Sequence, residues 1–140
     1  MKNLNFQNAK KTYKVNGDAE ISFNPADIGF VNRLFDLMEK LEKHQNEPVP
    51  ENPEDVFVVA ARRDAEMRAE IDAVFDEPVC NKVFGRTNIF SPAGGMPLCM
   101  NFLMAIIEEI DEASGSETKA SPAMVETLKK FEAKYGKIPQ

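Results

Sequence analysis

Residues 11–44, KTYKVNGDAEISFNPADIGFVNRLFDLMEKLEKH, decide the fold. The first third alternates. Tyr13 and Val15, then Ala19, Ile21 and Phe23, fall at every second position. A period of two puts such side chains on one face of an extended strand. Asn16-Gly17 interrupts the alternation, and both residue types tolerate the positive φ of a tight hairpin turn. Leu4 and Phe6 share the spacing, so a hairpin or three-stranded meander is predicted over 3–23. The period changes at Asn24. Asn24 can cap a helix, Pro25 suits its first turn, and Asp27 complements its dipole. Ile28, Val31, Leu34, Phe35, Met38 and Leu41 then recur at helical spacing, which predicts a helix over about 25–44. Strands followed by a helix make the class α+β, and the rest of the chain makes it mainly helical.

Downstream, QNEPVPENP (45–53) holds three prolines and reads as an extended loop. Asn52-Pro53-Glu54-Asp55 repeats the helix-start signal. A helix over 53–76 carries Val56, Val59, Ala60, Met67, Ile71, Val74 and Phe75, with a highly charged middle from Arg62 to Glu70; it is long for its apolar content, so part of it is expected to face solvent. Asp64 and Arg68 have the spacing of an i,i+4 ion pair. Pro78 opens a short helix, 78–84, which Gly85 stops. The most apolar helix is predicted over 97–112, with Cys99, Phe102, Leu103, Ile106, Ile107 and Ile110 on one face. A helix apolar nearly all round is central or lies at an interface. Residues 113–120 read as a linker. Ser121-Pro122 starts a last helix, 121–136, striped by Met124, Leu128, Phe131 and Tyr135 and expected to be loosely attached. Residues 1–112 are thus expected to form one compact domain.

A chain of 140 residues suits one domain. The net charge of −6 speaks against a general nucleic-acid binder, which must neutralise phosphates. No stretch reaches the roughly 18 apolar residues of a membrane span. Two cysteines without an apolar leader point to a reducing, intracellular setting.

Candidate chemistry is sparse. Cys80 and Cys99 lack close-spaced partners, and a zinc site needs about four ligands. Both occupy apolar helical positions and read as small buried hydrophobes. His44, the sole histidine, lies in a last helical turn, where it complements the dipole. The Gly94-Gly95 loop before a helix is a weak anion-loop candidate, because backbone N–H groups there can face an anion. It lacks the Lys and Ser/Thr of a phosphate loop, and Pro97 removes a donor. A glycine-hinged turn packing Phe90 and Met96 onto the core is the competing reading. The acidic clusters read as solvated faces. No catalytic residue, metal ligand or cofactor is therefore assigned. Seven methionines, with Met96, Met100 and Met104 close together, suit adaptable apolar surface as well as core. An acidic rim around apolar helices favours a basic, amphipathic helical partner.

Three stretches carry a family resemblance: NPADIGFVNRLFDLMEKLEK (24–43), RAEIDAVFDEPVCNKVFGRTNIF (68–90) and MPLCMNFLMAIIEEI (96–110). With the hairpin ahead of them, they resemble the tail assembly chaperones of long-tailed bacteriophages of Gram-positive hosts. The resemblance spans roughly residues 5–112 and rests on packing patterns. It implies a non-catalytic protein that binds the tape measure protein and assists tail tube assembly. It implies residence in the host cytoplasm and absence from the mature virion. Partners would be the tape measure and tail tube proteins, with self-association a further reading, and neither nucleic acid nor membrane. Phe35, Met38, Phe102 and Ile106 are the expected partner-binding positions. The competing class is a structural phage component, a head–tail connector or tail completion protein. A small enzyme would need convergent polar groups that the sequence does not offer.

Overall fold

The computed structural model describes residues 1–116 and 122–136. Its elements run β1 (Lys11–Val15), β2 (Ala19–Phe23), α1 (Ile28–Gln45), α2 (Pro53–Phe75), α3 (Val79–Phe84), β3 (Pro92–Ala93), β4 (Met96–Pro97), α4 (Leu98–Ser116) and α5 (Pro122–Tyr135). The fold is α+β, with a two-stranded N-terminal hairpin ahead of the five helices.

β1 and β2 pair antiparallel with Tyr13 opposite Ile21. Asn16 and Gly17 supply the turn, with φ of 52° and 78°. The expected third strand is absent. Residues 1–10 form no strand, and Leu4 and Phe6 are 80% and 83% exposed. The cause is local. Ala9 takes a φ of 60°, and the Lys10 N–H donates to Asn8 Oδ1 at 3.1 Å. The chain bends away before it can pair with β1.

Two helix starts differ in detail. The cap of α1 is Asp27, whose Oδ1 accepts the Gly29 N–H at 2.9 Å. Asn24 instead shapes the preceding turn, accepting the Ala26 N–H at 2.9 Å. α2 begins as its sequence predicts, with Asn52 accepting the Glu54 N–H and Pro53 in the first turn. α2 ends where Asp76 turns left-handed at φ 55°. α1 and α2 run antiparallel: Lys40 pairs with Glu70 at 2.8 Å, and Glu47, just past α1, with Arg63 at 2.8 Å.

α4 starts at Leu98, after Pro97 has joined β4, and continues to Ser116. The expected linker therefore begins later than residue 113, because Ala113 is buried and extends the apolar face of Ile106 and Ile110. Residues 117–120, and Ser121 as a helix start, lie outside the described residues. Where it is described, α5 packs against α1. Leu128 and Phe131 are buried, Phe131 stacks on Phe35 at 5.0 Å, and Lys134 lies 3.5 Å from Glu39 and 3.6 Å from Glu42.

Aromatic rings join the hairpin to the helices. Phe23 stacks between Tyr13 at 4.5 Å and Phe30 at 5.3 Å. Phe75 meets Phe30 at 5.3 Å and Phe102 at 5.8 Å, and Phe102 meets Phe84 at 5.5 Å. Offset and edge-on ring pairs at such distances add to the burial of their area.

Candidate functional site

Part of α2 was expected to face solvent, and its charged middle divides: Arg62 and Glu66 are exposed, whereas Asp64 and Arg68 hold residues 87–89. Asp64 Oδ1 accepts the N–H of the fully buried Ile89 at 2.8 Å, and Asp64 Oδ2 meets Arg68 Nε at 3.0 Å. Arg68 donates from Nη2 to the Thr87 carbonyl at 2.7 Å. Further along α2, Asp72 Oδ1 accepts the Cys80 N–H at 3.0 Å. These side chains moor residues 80–89 to α2. Only the spacing of Asp64 and Arg68 hinted at this, because their other partners are distant in sequence.

The Gly94-Gly95 loop is a turn and not an anion cradle. Ala93 pairs with Met96 and Pro92 with Pro97, and both glycines have positive φ, 63° and 87°. That is the geometry of a two-residue primed turn. The Leu98 N–H donates to the Ser91 carbonyl at 2.8 Å and the Cys99 N–H to the Ile89 carbonyl at 2.9 Å. With Pro97 lacking an N–H, these first donors of α4 are not available to an anion. Phe90 packs against the core as expected, but Met96 is exposed.

The four expected partner-binding residues are not surface anchors. Met38, Phe102 and Ile106 are buried in one core. Phe102 is held between the Phe75 and Phe84 rings. Phe35 is half-buried beneath Phe131 of α5. The helical period of these positions correctly marks an apolar face, but here that face closes on the chain's own elements.

Both cysteine thiols are buried and unpaired. Burial pushes the Cys99 thiol up to about 11. Burial also raises the Cys80 thiol, and the Asp72 carboxylate adds to the effect. Thiolate is the reactive form, so burial and the raised thiol pKa values both disfavour attack by either sulfur in the folded chain. His44 meets Phe90 ring to ring at 6.0 Å, and its Nδ1 lies 3.7 Å from Glu47 Oε1. Among the described residues, no group of three or more His, Cys, Asp or Glu could hold a metal ion, and no helix is long and apolar enough to cross a membrane.

Exposed apolar side chains gather instead at the N-terminal end of α2. Phe57 is 81% exposed, Val58 68% and Val56 38%, with Val49 of the preceding loop at 76%. Helix geometry explains Val56 and Phe57, while Val58, about 180° around α2 from Met67, is on the solvent side of the helix. At 100° per residue, Ala60, Val56 and Phe57 lie on the same side of α2 as Met67 and Ile71, which are fully buried. The core-facing stripe of α2 thus continues toward Pro53 after the core has ended. α1 runs alongside only as far as Gln45, whose antiparallel neighbours on α2 lie near Arg63. The first two turns of α2 therefore extend about 12 Å past their natural neighbour. Around this tip, Glu51, Glu54 and Asp55 make no ion pair among the described residues, whereas Arg62 and Arg63 are held by Glu47 and Glu66. The sequence carries a trace of the site. Val56 to Val59 is an apolar island cut off from Met67 by charged residues.

The chain matches no protein-family model, no curated protein and no solved structure.

Proposed function

We propose that this chain is a non-catalytic binding protein of the phage tail assembly chaperone class. In this reading it acts in the host cytoplasm, holds the tape measure protein soluble, assists tail tube assembly and is absent from the finished particle. The observation that carries the reading is the tip of α2. A closed α+β core leaves Val56, Phe57 and Val58 uncovered on a projecting helix, beside Val49. The largest contiguous apolar patch on a protein surface is often a functional one. The unpaired Glu51, Glu54 and Asp55 around the patch set the partner's chemistry: an amphipathic helix whose apolar stripe is flanked by Lys or Arg. A long helical tape measure protein can supply many such segments.

The test is co-expression of the chain with a phage tape measure protein. The wild-type chain keeps that protein in the soluble fraction and is missing from purified particles. A Phe57→Asp, Val58→Asp double variant loses the solubilisation while its thermal melt stays as in the wild type. Undiminished solubilisation by the variant removes the α2 tip from the function. Recovery of the chain in finished particles moves it to the structural class, a connector or tail completion protein.

A further inference from the structure

The second group of exposed apolar side chains, Leu4 and Phe6, precedes an unfinished sheet in the chain. β2 has one edge paired to β1 and the other closed by side chains. The Ser22 N–H donates to Glu77 Oε1 at 3.0 Å, and Lys82 Nζ lies 3.5 Å from the Glu20 carbonyl. Since Ser22 and Glu20 direct their backbone groups away from β1, their register partners Thr12 and Lys14 direct theirs away from β2. No backbone partner among the described residues meets those groups of Thr12 and Lys14. β1 therefore has an open edge, able to accept one more strand.

We infer that this edge takes residues 3–7 of a second copy of the chain, so that two copies exchange their N-terminal tails. Asn3-Leu4-Asn5-Phe6-Gln7 alternates with period two, as an added strand requires. Paired to β1, Leu4 and Phe6 would share the face of Tyr13 and Val15, about 4.8 Å away. That face is ready for them. A cavity of about 240 Å³ opens beside Val15, lined by Val83, Phe84, Leu98, Phe102 and Ala105. It has room for an aromatic ring, and Phe6 is the exposed aromatic nearest to β1 in sequence. The chain's own tail is directed elsewhere. Asn8 and Lys10 line a different cavity with Ser22, Val74 and Asp76, on the side of the hairpin where Glu77 seals β2. The turn at Ala9 holds the tail there.

Light scattering on the full-length chain, over about a fiftyfold range of concentration, tests the exchange. The wild-type chain associates to a dimer. Phe6→Asp removes the ring that fills the cavity. Thr12→Pro removes the outward N–H of β1 and no backbone bond to β2, since proline is tolerated on a free strand edge; Thr12→Val, which keeps that N–H, controls for the Thr12 Oγ1–Ser22 Oγ hydrogen bond of 2.9 Å that the proline also removes. Phe6→Asp and Thr12→Pro each weaken dimerisation at least tenfold, with the helical circular dichroism of the wild type. In a mixture of these two variants only one of the two tail-to-edge pairings is intact and the other carries both lesions, so association stays below that of the wild type. A wild-type chain that stays monomeric throughout overturns the inference. So does a Phe6→Asp or a Thr12→Pro variant as dimeric as the wild type.

Discussion

Replacing Asp64 by alanine would leave the Ile89 N–H without an acceptor in the core and free one end of Arg68. An orphaned buried donor costs about 1–3 kcal/mol, so Asp64→Ala should lower the unfolding free energy by that amount in urea titration. Asp64→Asn keeps an acceptor and should lose less. A second prediction concerns alkaline pH. Burial, with the nearby Glu109 carboxylate, pushes the Tyr13 phenol up to about 12, against 10.0 when unperturbed. Burial likewise holds the Cys99 thiol at about 11, against 9.0. Above these ordinary values the unfolded chain gives up protons that the folded chain retains, so rising pH favours unfolding. The contribution of the pair should be constant below pH 9, begin to fall as Cys99 would ionise in the unfolded chain, and be lost by about pH 12. Denaturant midpoints measured across this range check the sign, and Tyr13→Phe should flatten the upper part of the decline. Individual residues were the part of the molecule least legible in the sequence. Arg62 to Glu70 is a run of charge in one dimension, and a charged residue moored to a buried amide looks the same there as a solvated one. Phe102 and Ile106 were recognisable as an apolar face, but nothing local tells whether such a face meets a partner or Phe75 and Phe84.

Elements were more legible, because each carries its own period and its own stop signals. The hairpin turn, the start of α2 at Asn52-Pro53 and the end of α3 at Gly85 are local chemistry, and local chemistry is written in adjacent residues. The missing strand at Leu4 and Phe6 is the exception. Its spacing is right, but pairing within the chain requires a turn that Asn8-Ala9-Lys10 does not make. α2 shows how one element can serve two purposes. Its C-terminal half supplies Met67, Ile71 and Phe75 to the core, and its first turns carry the exposed Val56, Phe57 and Val58. Substitutions should divide the same way. Met67→Ala should cost about 2–5 kcal/mol, whereas Phe57→Ala should change stability by no more than about 0.5 kcal/mol. Parallel chemical denaturation of the two variants measures the contrast. Equal losses would mean that the tip is packed in solution.

Across the whole molecule, contacts between distant parts of the chain close the fold at both ends. Tyr13 reaches Glu109 from the hairpin, and Phe131 covers Phe35 from the last helix. Phe131→Ala should therefore behave as a core substitution, costing about 3–5 kcal/mol and lowering the melting temperature cooperatively. A separate early transition for α5 would show it to be an independent appendage. Global closure also governs the thiols. At pH 8 the native chain should not react with a disulfide reagent such as DTNB, while two equivalents should react once it is unfolded. This silence has a practical side. A cysteine introduced at an exposed position, for instance by Val58→Cys, would be the sole thiol to answer a maleimide dye. The native protein thus comes already blanked for single-site labelling, and a reporter could be placed on the α2 tip without first removing Cys80 or Cys99.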